Sequence, residues 1–209
     1  RGFVYKTEDP AKGWTLHSRL RHFHDASLFF DDDGKAYVFY GTGQLTELKP
    51  DLTGVQEGGI DTVVIRRDNV DNGLLEGSRV IKHNGKYYLQ YAAIGLELLT
   101  YSHGVYVADN PMGPYTYSKH NPLTYKTTGY AVGGGHGSTF HDKNGQLWTI
   151  CMIPAHYGDN GGAELAIFPT AVDEEGNMYS NVAYGDYPQH WPGTRTDAVD
   201  NNFTGWYLL

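Results

Sequence analysis

The chain has one cysteine in 209 residues, Cys151, so no internal disulfide can form. Cys151 lies in the apolar run Trp148 to Ile153 and reads as a buried, inert thiol. No apolar run approaches the roughly 18 to 20 residues of a membrane-spanning helix. No segment keeps a helical period beyond about 12 residues, which leaves strands and turns as the building material. Positive charge is short: 16 Lys and Arg stand against 24 Asp and Glu, a net charge of -8. Such a chain is repelled by phosphate backbones and anionic lipid, which argues against nucleic-acid and membrane partners and suits a neutral ligand such as a sugar. The glycine-rich stretch Gly133 to Ser138 lacks the Lys-Ser/Thr of a phosphate loop and reads as close backbone packing. The first residue is Arg1 rather than Met, so the expectation is an N-terminus cut from a longer chain, with no information on a signal peptide.

Glycine and tyrosine are abundant, with 27 and 17 residues. They recur in a repeat. HDASLFFDDDGKAYVFYG from His24, EGSRVIKHNGKYYLQYA from Glu76 and HGSTFHDKNGQLWTI from His136 share one plan. Aligned on Gly34, Gly85 and Gly145, they place Asp25, Glu76 and His136 at one equivalent position, nine residues before each glycine. An Asp-Gly or Asn-Gly turn leads each time into an aromatic strand, a strong hairpin signal. A second repeat matches Val4-Tyr5, Pro10 and Trp14 to Val105-Tyr106, Pro111 and Tyr115, an outer strand followed by a turn. The period of roughly 50 to 60 residues is that of a propeller blade. The expected fold is an all-β propeller with a blade tail at 1-20, blades at about 21-75, 76-130 and 131-190, and a closing strand or the start of a further β domain at 191-209. Inner strands line the central channel, which would gather Asp25, Glu76 and His136 around one axis. Polar caps at strand starts would explain the spacing but not the residue types, because a half-buried carboxylate costs free energy unless it is paired or used.

His24-Asp25-Ala26-Ser27, Leu75-Glu76-Gly77-Ser78 and Gly135-His136-Gly137-Ser138 together resemble glycoside hydrolase family 43 in order and spacing. The resemblance implies a five-bladed β-propeller, here partial at about three blades plus flanking strands, and an inverting glycosidase. It implies that Glu76 is the general acid and that Asp25 orients it and raises its pKa. The general base then belongs to the first blade, upstream of residue 1, so this chain alone is expected to be inactive and to expose uncovered blade faces that self-associate. A complete propeller at this period needs about 280 residues. The resemblance further implies a parent enzyme acting on arabinofuranosyl or xylosyl bonds of plant-type polysaccharide, with no required cofactor. It places a structural calcium or water at His136, on the axis. Polysaccharide lies outside the cell, which suggests a periplasmic or secreted protein.

Chemistry agrees with that assignment, because glycoside hydrolysis needs a proton donor and a base across an oxocarbenium-like transition state. Candidate substitutes for the base are poor: Asp9 lies in an outer turn, Asp31, Asp32 and Asp33 read as a solvated hairpin tip, and Asp61 as a strand start. His22 and His24 would share a strand face, but no third ligand at useful spacing makes a zinc site. His24 beside Asp25 suits a sugar contact. Arg79, three residues past Glu76, reads either as a pocket residue or as a surface cation. Phe23, Tyr91 and Trp191 are candidate stacking faces, with core packing as the default. Two other readings compete. The five-bladed fructan hydrolases carry Arg-Asp-Pro and Glu-Cys-Pro stretches where this chain has His24-Asp25-Ala26 and Glu76-Gly77-Ser78. A non-catalytic carbohydrate-binding or scaffold propeller leaves Asp25 and Glu76 unexplained.

Overall fold

Aromatic and β-branched residues bounded by tight turns set the local structure, and the result is antiparallel throughout. The structure is a computed structural model that describes residues 1–66, 75–95, 98–129, 131–154 and 163–186. Strands β1 (Gly2–Lys6) and β2 (Thr15–Leu20) form a two-stranded sheet joined by a 3-10 turn, Pro10–Lys12, which Asp9 caps. Three four-stranded meanders follow. The first holds β3 (Ser27–Phe30), β4 (Ala36–Tyr40), β5 (Gln44–Leu48) and β6 (Asp61–Val63). The second holds β7 (Leu75–His83), β8 (Lys86–Ala93), β9 (Ser102–Ala108) and β10 (Thr116–Tyr117). The third holds β11 (Gly135–His141), β12 (Leu147–Pro154), β13 (Ala163–Val172) and β14 (Met178–Ser180). The first strands β3, β7 and β11 lie side by side, so the meanders are successive blades of a partial β-propeller. Residues 191-209, and Trp191 with them, lie outside the described residues.

Each blade hides one face against the next. Phe29, Phe39 and Leu45 of the first meander share a core with Val80, Leu89, Tyr91 and Tyr106 of the second. Phe29 meets Tyr87 edge-on, with ring centroids 5.8 Å apart. Between the second and third meanders the seam is partly polar. Gln90 donates to Thr139 Oγ1 at 2.6 Å, and the hydroxyls of Thr139, Thr149 and Thr170 follow at 2.7 Å spacings. Cys151 is buried, and burial pushes its thiol up to about 12, which keeps it protonated and unreactive.

The strand register corrects the glycine alignment by one residue. Phe30 pairs with Ala36 and His141 with Leu147, each pair enclosing five residues, whereas Lys82 pairs with Tyr87, enclosing four, of which His83 and Lys86 pair with each other. Counting five residues back from Phe30, Lys82 and His141 makes Asp25, Gly77 and His136 the structural equivalents, and all three have positive φ, at 50°, 66° and 49°. Glu76 stands one residue earlier. The second hairpin turns on Asn84-Gly85, with φ of 49° and 77°, the tight two-residue turn that suits twisted strands.

The hairpin tip at Asp31 also departs from the sequence reading. Asp32 and Asp33 are exposed, but the Asp31 side chain is only 7% accessible and accepts from Lys82 Nζ at 2.7 Å and from Tyr87 OH at 2.6 Å. It fastens the first blade to the second. Burial raises the Asp31 pKa, but the hydrogen bonds from Lys82, Tyr87 and the Asp32 backbone outweigh it and leave the group below its ordinary value. The contribution to stability is therefore complete above the unfolded value near pH 4 and is lost as pH falls through the lower folded value. Asp31→Asn should cost about 1–3 kcal/mol at pH 7. In urea melts, the gap between the variant and the wild type should narrow on acidification, and a gap constant down to pH 3 would contradict the assignment.

The two-stranded sheet shows what an uncovered blade looks like. Tyr5 and Tyr106 hold matching places in the outer-strand repeat, yet Tyr106 is 4% exposed and Tyr5 54%. In the second meander β8 covers the inner edge of β9, while among the described residues no strand pairs with the matching edge of β1. Phe3, Trp14 and Leu16 are exposed with Tyr5, and so are Leu28 and Phe30 of β3. Free edges beside apolar faces favour strand pairing between chains. The chain by itself is expected to sediment as concentration-dependent oligomers, which Phe3→Lys and Tyr5→Lys reduce. A monomer at every concentration would contradict this.

Candidate active site

The site is assembled at the N-terminal ends of β3, β7 and β11. Asp25 precedes β3 in a left-handed turn, and short polar side chains tolerate that conformation. Glu76 is the second residue of β7, and the register slips between Glu76 and Arg79. His136 is the second residue of β11, and its register slips between Gly135 and Ser138. Such bulges turn a side chain away from the pleat alternation. Here both turn one toward the neighbouring inner strand.

The glycines around these bulges give way to rings. A Cβ on Gly77 would lie 2.8 Å from the His136 imidazole, and one on Gly135 would lie 2.6 Å from the Tyr101 ring. A third, on Gly137, would meet the Ile150 carbonyl oxygen at 2.7 Å. Behind the bulge, the fully buried His103 accepts from Gly137 N at 3.2 Å through Nδ1 and donates to Gln90 Oε1 at 3.2 Å through Nε2. Burial, with the charges of His136 and Arg79, holds the His103 pKa down to about 3, so this ring stays neutral. It fixes the backbone that presents His136.

Asp25, Glu76 and His136 each offer a ligand-type atom, and these atoms lie within 4.8 Å of one another. His136 Nδ1 is 3.7 Å from Glu76 Oε1, and the Asp25 and Glu76 side chains are each 22% exposed. The carboxyls are thus close together, partly desolvated and open to a ligand. Tyr101 donates to Glu76 Oε1 at 2.9 Å and is itself buried. Burial, the bond to Glu76 and the charges of Glu76 and Asp25 push the Tyr101 pKa far up, so the phenol keeps its proton. The sequence reading missed Tyr101. The tight glycine at position 135 was its one trace.

The other candidates are distributed as follows. His24 is exposed, with Nε2 at 3.4 Å from Asp25 Oδ2, beside the site. His22 and His24 lie in a loop rather than a strand, because β2 ends at Leu20 and β3 begins at Ser27. Phe23 is corrected from a sugar-stacking face to a core residue. It is 8% exposed, packs with Ala36, Val38 and Leu48, and is capped by the Arg21 guanidinium at 5.0 Å. Tyr91 is likewise in the core. Arg79 is half-buried opposite Gln90, and burial lowers its pKa. Asp61 is on the outer strand β6, ion-paired with Arg21 at 2.9 Å and bonded to Thr46, away from the inner strands. A calcium ion takes about six to eight oxygen ligands. Two carboxylates and an imidazole nitrogen do not supply that shell, so a calcium at His136 would be held chiefly by water.

Carboxyl groups converging at the inner strands of a propeller are the equipment of an acid–base hydrolase. The chain belongs to the glycosyl hydrolases of family 43, whose sequence profile matches residues 1–178. It is 35% identical to an arabinoxylan arabinofuranohydrolase of Paenibacillus polymyxa, over 57% of this chain and 21% of that protein. It is 28% identical to a beta-D-galactofuranosidase of Aspergillus niger, over 76% of this chain and 43% of that protein. The chain therefore spans less than half the length of these curated relatives. A family-43 protein of Bacillus licheniformis superposes with a TM-score of 0.80 at 22% identity, over 95% of this chain and 40% of that one, which establishes the shared propeller fold.

Proposed function

We propose that the full-length protein is an inverting glycosidase that cleaves arabinofuranosyl- or xylosyl-type bonds in plant-type polysaccharide. Glu76 is its general acid, and Asp25 is the carboxylate that orients it. The convergence of Glu76, Asp25 and His136 within 4.8 Å is the observation that carries this reading. The relatives' substrates support the choice of pentose and furanose sugars. No required cofactor is implied by the family. The base that activates water is not among the residues gathered here. An inverting pair is separated by about 6.5–9.5 Å, and Asp25 is too close to Glu76 for that role. The proximity of His24 to Asp25, at 3.4 Å, supports it as a sugar contact, and Arg79 is a second candidate contact. Periplasmic or secreted placement follows from the substrate. Among the described residues no helix is long and apolar enough to cross a membrane.

A panel of aryl glycosides and plant polysaccharides, incubated with the full-length protein, tests this reading. Pentose release with inversion at the anomeric carbon is expected. A folded protein that binds polysaccharide and releases nothing would establish a binding propeller instead.

A further inference from the structure

Glu76 has two oxygens, and the structure treats them differently. Oε1 accepts from Tyr101 at 2.9 Å and lies 3.7 Å from His136 Nδ1. Oε2 takes no hydrogen bond from any described residue. A carboxylic acid that delivers a proton must present its O–H oxygen to the leaving group and point its carbonyl oxygen elsewhere. Tyr101 is built to enforce that division. Its phenol is buried, its proton is held, and Gly135 leaves room for its ring where a Cβ would sit at 2.6 Å. As a fixed donor it stabilises the acceptor oxygen of Glu76 at Oε1, which leaves the transferable proton on Oε2.

We infer that Tyr101 is a positioning residue for the acid: its O–H···Oε1 bond selects Oε2 as the proton-delivering oxygen. The inference rests on Glu76 being the general acid. In the step it serves, the Oε2–H proton moves to the glycosidic oxygen as the bond from that oxygen to the anomeric carbon breaks. Water adds to the anomeric carbon and gives its own proton to the base. Tyr101 keeps its proton throughout and touches neither substrate nor water.

The role predicts a pattern that a merely structural tyrosine would not give. In the full-length protein, Tyr101→Phe should lower kcat roughly 10- to 100-fold on a glycoside with a sugar leaving group, the range for losing a hydrogen bond to a charged group. KM should hold, because the ground-state sugar contacts are untouched. On a dinitrophenyl glycoside, whose leaving group departs without protonation, kcat should change little. In a Glu76→Gln background, Tyr101→Phe should add no further loss on the sugar substrate, since the oxygen it positions no longer donates the proton. Equal losses on both substrates, or additive losses in the double variant, would overturn the role and return Tyr101 to packing. An unaffected Tyr101→Phe beside an active wild type would overturn the role alone. A wild type inactive on both substrates would overturn the glycosidase reading, and this role with it.

Discussion

Glu76→Gln in the full-length protein is expected to slow hydrolysis of xylan- or arabinan-type substrates by about 10²- to 10⁴-fold, the usual contribution of a positioned general acid. The substitution keeps the shape of the side chain and an oxygen for Tyr101 to donate to, but removes the transferable proton. Its neighbours predict a purely chemical defect. Only Tyr101 donates a hydrogen bond to the Glu76 carboxyl among the described residues, and the side chain is partly open, so no buried ion pair is broken. The melting temperature should therefore stay close to that of the wild type and KM should hold. A rate within a factor of a few of wild type would remove Glu76 from the acid role. A large fall in melting temperature would instead make it structural.

The second large effect is on stability. Gly77→Ala places a Cβ 2.8 Å from the His136 ring at a φ of +66°, on a buried glycine whose neighbouring imidazole must shift to admit it. Left-handed backbone alone costs a non-glycine residue about 1–3 kcal/mol, and overpacking adds about 1–3 kcal/mol. Gly85→Ala separates the two contributions, because its φ is +77° but nothing lies within 4 Å of its Cβ. Urea denaturation should show a loss of about 2–4 kcal/mol for Gly77→Ala and about 1 kcal/mol for Gly85→Ala. Equal losses would mean that the imidazole moves aside without cost. If His136 is displaced instead, Gly77→Ala should also reduce activity in the full-length protein, whereas Gly85→Ala should not.

Much of this molecule was legible because turn glycines and aromatic strands repeat along the chain. Gly34, Gly85 and Gly145 marked the three inner hairpins, and the strands after them begin at Ala36, Lys86 and Leu147. The single-residue slip at the second blade was not legible. Hairpins enclosing four and five residues both end in glycine and lysine or glutamine, and only the ladder through Lys82–Tyr87 and His83–Lys86 reveals which is present. Glu76 nevertheless reaches the axis, because Gly77 takes the left-handed place that Asp25 and His136 occupy in their own blades. Asp31 shows a different limit. In sequence it is one of three aspartates in a turn, and only the packing of the second blade brings Lys82 and Tyr87 onto it. Tyr101 and Phe23 are aromatic residues without a distinguishing neighbour. One is drawn to the site by a glycine on another strand, and the other is drawn into the core by the chain's turn at residues 21 to 26.

The most direct test of the central claim, that Glu76 donates the proton, is the leaving-group dependence of the Glu76→Gln protein. The rate on a dinitrophenyl glycoside should remain close to wild type while the rate on the matching glycoside with a sugar leaving group collapses, because only the second bond needs a proton to break. Equal collapse on both substrates would contradict the assignment and place Glu76 in substrate binding or structure.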